Sequence, residues 1–181
     1  MTAEPSPIRL WTPQGFADDP WTHSDSVEPP APGGPVILPL AAFLALDPDA
    51  RAAAHNRLGV ELAPADAIEP LLPFLERLPL VALAFPVFSD GRSFSKAELL
   101  RSRHNYRGRL RATGQVLVDQ LAHMLRVGFD EFEVSNPVLL RRLEEGRLGG
   151  LPLAYQPAAA PAPEAGGYAW RRSLKGRGGP A

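Results

Sequence analysis

The chain of 181 residues is 45% hydrophobic and 22% charged, carries a formal net charge of -1 and contains no cysteine. The missing thiol excludes disulfides, thiolate zinc sites, cysteine-ligated iron–sulfur clusters and thiol redox chemistry. A balance of 19 basic against 20 acidic residues argues against a protein that coats nucleic acid, which needs a strong cationic excess.

The start of the chain, "MTAEPSPIRLWTPQG", has no charged segment followed by an apolar run, and "VILPLAAFLAL" is too short to span a bilayer, so a soluble cytoplasmic protein with no membrane association is expected. Residues 1–35 hold eight of the 21 prolines and read as a short β ribbon bearing Trp11, Phe16 and Trp21, followed by a Pro-rich linker from His23 to Pro35. The aromatics are expected to pack onto the body of the fold. Residues 36–156 read as a single α/β domain. Residues 157–181 are low in complexity, end basic and are expected to be disordered.

Within the domain five short apolar runs read as strands: "PVILPL", "RLGVEL", "LPLVALAF", "GRLRAT" and "FDEFEV". Each leads into a helical pattern. In "AIEPLLPFLERL" Pro70 and Pro73 fall inside the period and should delay or kink the helix. Ser95-Lys96-Ala97-Glu98 matches a capping box and predicts a helix starting at Ser95. Val116, Leu117, Leu121, Met124 and Leu125 share one helical face, with Gly128 as the stop. Asn136-Pro137 reads as an N-cap and first-turn proline for a last helix closed by Gly146.

About five β-α units in this order predict a parallel sheet, either open and doubly wound or an incomplete, half-barrel arrangement. Both architectures put ligands at the carboxyl ends of the strands. That rule gathers Ser89, Asp90, Gly91, Arg92, Ser93, Thr113, Gly114, Ser135 and Asn136 on one rim, where glycine, helix N-termini and an arginine would suit an anion. The competing reading makes Asp90-Gly91 a turn and Arg92 its salt-bridged neighbour. Between Phe85 and Gly114 six arginines and one lysine face two carboxylates. Of these, Arg101, Arg103, Arg107 and Arg109 are expected toward the opposite rim, as a surface for docking a partner or simply as a solvated face.

Other chemistries find little support. His23, His55, His104 and His123 lack metal-ligand spacing, so no metal is expected. The chain shows no G-x-G-x-x-G after a strand, no P-loop and no G-x-S-x-G elbow, so no cofactor is expected and no catalytic set is identified. Asp119 is an acid/base candidate on a helix face, with pairing to an arginine as the alternative.

The segment Leu80 to Val134, above all "FPVFSDGRSFS", "LRATGQVLVDQL" and "GFDEFEV", resembles the bacterial family known as domain of unknown function 934, and the likeness runs from about Pro35 to Ala158. The ribbon "RLWTPQGFADDPW" is similar in kind. Members are commonly labelled oxidoreductases involved in sulfite reduction because they accompany sulfite reductase genes. The resemblance implies a role in assimilatory sulfate reduction. One form is an accessory protein docking on sulfite reductase or its electron donor. The alternative is a small enzyme or sensor holding a sulfur oxyanion at the strand-end rim.

Overall fold

The computed structural model describes residues 7–25, 34–87 and 89–147. The expected tail, residues 157–181, and most of the linker lie outside them. The N-terminal ribbon is β1 (Arg9–Thr12) and β2 (Gly15–Ala17), followed by β3 (Thr22–His23). The body runs β4 (Val36–Pro39), α1 (Leu40–Ala45), α2 (Pro48–Ala53), β5 (Leu58–Leu62), a 3₁₀ segment (Glu69–Arg77), β6 (Leu80–Phe85), α3 (Arg92–Glu98), β7 (Arg109–Gly114), α4 (Val118–Arg126), β8 (Glu131–Val134) and α5 (Pro137–Glu144).

The eight strands among the described residues form one sheet in the order β2-β1-β8-β7-β6-β5-β4-β3. From β3 to β8 every pairing is parallel, whereas β1 joins β8 and β2 antiparallel. The five body strands stand side by side in chain order. A doubly wound sheet needs a reversal of that order, and with right-handed crossovers an unreversed order sends every helix to the same face. The sheet is therefore an open half-barrel. The ribbon belongs to this sheet, with residues 9–23 forming three of its strands.

The alternation of each strand sorts its side chains. Leu38, Val60, Leu62, Val81, Leu83, Phe85, Leu110, Ala112, Phe132 and Val134 point toward the helices and form the main core with Leu71, Leu100, Leu121, Met124 and Leu139. Phe85 lies near its centre, 5.1 Å from Phe94 and 5.8 Å from Phe129 between ring centroids. Ile37, Leu80 and Ala82 face the other way, in a small separate cluster with Trp21.

Local chemistry explains the helix ends. Asn136 Oδ1 accepts the Val138 and Leu139 amides, as its N-cap reading requires, and Gly128 and Gly146 take positive φ at the ends of α4 and α5. Pro70 and Pro73 do more than kink their helix. With two amide donors gone, the segment winds as a 3₁₀ helix from Glu69 to Arg77. The capping box does not start α3. That helix begins three residues earlier at Arg92, because Asp90 Oδ1 takes the Arg92 amide and the Phe94 amide reaches the Gly91 carbonyl. Beyond Glu98 it widens into a π turn, Leu99–Arg103, with His104 N bonded to Leu99 O.

Candidate functional site

The strand-end rim brings Asp90 and Arg92 together. The Asp90 carboxylate accepts from Arg92 Nε at 3.0 Å and from Arg92 Nη2 at 2.6 Å. These bonds hold the Asp90 pKa down at about 2, well below the usual carboxylate value. Arg92 is exposed and already committed to an acid, with Ser89 and Gly91 exposed beside it.

The remaining rim candidates have structural partners. Ser93 is buried and donates to the Ala84 carbonyl, which ties α3 to β6. Thr113 points to the sheet face that carries no helix among the described residues and donates to Glu61 at 2.6 Å. Gly114 has φ +84°, and a Cβ there would meet the Phe85 carbonyl oxygen at 2.5 Å. Asn136 is an N-cap and Ser135 is exposed before it. Asp119 lies exposed in the first turn of α4. Sequence reasoning passed over Lys96. It is buried below this rim, where Nζ donates to the Ala63 and Pro64 carbonyls of the loop after β5. Burial lowers its pKa.

The sheet face to which Thr113 points holds the largest charged cluster among the described residues, and sequence reasoning did not assemble it. Arg111 is fully buried there. Its Nε and Nη2 donate to Glu131, its Nη1 donates to Glu133 at 3.0 Å, and Asp19 closes the fork from the segment between β2 and β3. Desolvation opposes the charge, but the hydrogen bonds to Asp19 and Glu131 outweigh it and raise the pKa of Arg111 above its ordinary value. Arg109 bridges to Glu131 from outside at 3.1 Å. His23 Nε2 sits 2.8 Å from Glu133 Oε1 while Nδ1 is 3.9 Å from Glu61. The hydrogen bond to Glu133 raises the pKa of His23.

Geometry here also measures the curl. β3 and β8 are five strand spacings apart, about 24 Å in a flat sheet, yet His23 touches Glu133. Residues 18–24 thus cross the concave face as a strap. Asp19 fastens one end, and Trp21 packs over Gly59, where a Cβ would meet the indole at 3.1 Å. With Arg109 and Arg111 against Asp19, Glu61, Glu131 and Glu133, the cluster is rich in carboxylate. Its guanidinium is spent on holding the strap rather than offered to an anion. Among the described residues no group of three or more His, Asp or Glu side chains is arranged to hold a metal ion. No helix among them is long and apolar enough to cross a membrane.

The opposite rim, at the amino ends of the parallel strands, separates the expected docking arginines. Arg101 is turned inward, 14% exposed, and donates to the carbonyls of Gly128, Tyr106 and Gly108 besides pairing with Asp130. It is a brace between the π turn and the starts of β7 and β8. Arg109 is exposed but bridged to Glu131. Arg103 and Arg107 are exposed with no ion pair among the described residues. Arg107 borders a cavity of about 550 Å3, and an apolar pocket of about 200 Å3 adjoins it.

The chain matches, over residues 59–164, the family described as "Bacterial protein of unknown function (DUF934)", and it belongs to that family. No curated protein and no solved structure matches the chain.

Proposed function

We propose that this protein is an accessory component of assimilatory sulfite reduction, docking on sulfite reductase or on the protein that supplies its electrons. The pathway comes from the family resemblance. The docking role is supported by one observation: Arg103 and Arg107, with Arg77 lining the same cavity as Arg107, stand exposed and without ion pairs among the described residues at one end of the half-barrel. Uncompensated surface cations steer an acidic partner and set its orientation. The alternative, a sulfur oxyanion held at the other rim, would have to displace Asp90 from Arg92.

Deletion of the gene should impair growth on sulfate and sulfite and spare growth on sulfide and cysteine. Equal growth on all four sources would remove the pathway assignment. Affinity capture of the tagged full chain from sulfate-grown cells should recover sulfite reductase or its electron donor, and calorimetry with sulfite should give no binding heat. A sulfite heat abolished by Arg92→Ala would favour the alternative.

A further inference from the structure

The two cavities at the amino ends of the strands share a wall, Arg77 and Leu78, and differ in character. The smaller, about 200 Å3, lies between α2 and the 3₁₀ segment and is walled by Phe43, Leu58 and Phe74. That is below the roughly 300–1,000 Å3 of a small-molecule site and suits one anchoring side chain. The Arg51 guanidinium stands at its edge, 4.5 Å over the Phe74 ring and bonded to the Phe43 carbonyl. The larger, about 550 Å3, has a mixed lining in which Leu75 and Pro79 stand beside Asn56, Glu76, Arg77 and Arg107. Across both, Arg51, Arg77 and Arg107 face the single carboxylate of Glu76.

We infer that the pair forms one docking groove for a linear acidic peptide segment of a partner protein, with an apolar anchor in the smaller pocket and flanking carboxylates over Arg77 and Arg107. The inference rests on the docking role proposed above and specifies where and what it docks. Charge complementarity selects an acidic occupant, and the aromatic-walled pocket selects one with an apolar side chain, as in groove recognition of short segments. The chain's own C-terminal sequence, with Arg171, Arg172, Lys175 and Arg177, has the wrong sign. A single-stranded nucleic acid could also place a base in an aromatic-walled pocket, but a chain with a net charge of -1 lacks the cationic excess that such binding needs.

The test uses the full chain and three labelled probes: a twelve-residue peptide with one phenylalanine among aspartates and glutamates, the same peptide with serine for phenylalanine, and a twelve-nucleotide oligothymidine. Anisotropy should show the first peptide binding best, and more weakly as salt rises. Arg77→Glu with Arg107→Glu should weaken it roughly tenfold or more. Ala52→Trp, on an exposed helix position lining the apolar pocket, should do the same, and Arg142→Glu on α5 should not. Absence of peptide binding, equal binding by all variants, or tighter binding of oligothymidine would overturn the groove.

A photo-crosslinking residue at Asn56, compared with one at Arg142 in sulfate-grown cells, separates this inference from the role beneath it. Cross-links to sulfite reductase or its donor from position 56 alone support both. The same cross-links from position 142 alone sink the groove and leave the docking role. Peptide binding in the groove with neither protein cross-linked leaves the groove and sinks the role.

Discussion

Asp19 grips Arg111 with both carboxylate oxygens, at 2.8 Å to Nη1 and 3.0 Å to Nη2, across 92 residues of chain. It is the fastening of the strap. Removing the guanidinium leaves Glu131 and Glu133 buried without their shared cation, so Arg111→Ala should cost about 3–5 kcal/mol in urea denaturation. Asp19→Asn, at a partly exposed position, should cost about 1 kcal/mol while loosening residues 18–24. In a background with Trp11 and Trp170 replaced by Phe, Trp21 fluorescence should then shift red. An unshifted spectrum in Asp19→Asn would show that the pair does not hold the strap.

The strap should also respond to pH. His23 has its pKa raised by Glu133. Its ion pair therefore contributes fully below the unfolded value of about 6.5 and is lost as pH rises through the higher folded value. Strap protection from proteolysis should fall across that window in the wild type. It should be flat in His23→Gln. NMR titration of the His23 ring giving a pKa below 6.5 would contradict the assignment.

Lys96 ties α3 to the loop after β5 through two carbonyls. Substituting methionine keeps the stem and removes the donors, so Lys96→Met should cost about 1.5–3 kcal/mol, the range for hydrogen bonds to a charged group. Lys96→Arg should not restore it, because a fork does not fit where a point charge is enclosed. Chemical denaturation of the two variants checks both statements.

Gly114→Ala combines a left-handed backbone with a Cβ 2.5 Å from the Phe85 carbonyl oxygen. Strain at such a position is of order 1–3 kcal/mol, and the clash adds to it. The thermal midpoint should drop accordingly. Gly91→Ala, where nothing lies within 4 Å of the added carbon, should leave the midpoint close to wild type.

The legible parts of the sequence were those written in local code. The five strand runs, the Asn136-Pro137 cap and the Gly128 and Gly146 stops depend on neighbours within a few residues, and each appears in the fold. The start of α3 was misread because a better N-terminal partner, Asp90, lay just upstream of the capping box. The charged cluster was missed although its signal was present. Arg109, Arg111 and Thr113, Glu131 and Glu133, and Gly59 and Glu61 each alternate with apolar residues, which marks a polar sheet face. What no local rule supplies is the curl that brings His23 and Asp19 onto that face from another part of the chain. Likewise, Arg101 and Arg107 look alike in sequence, and only packing turns one inward and leaves the other exposed.

The N-terminal ribbon has a further consequence, for solubility. It pairs with β8 through β1 and with β4 through β3, so one short stretch covers both borders of the five-stranded parallel sheet. The strands left outermost among the described residues, β2 and β3, are three and two residues long, too short to template another chain. A chain lacking residues 1–25 would bare β4 and β8 together, giving every molecule two unpaired strand borders. With two such borders per molecule, assembly has no built-in end point, and the shortened chain should polymerise.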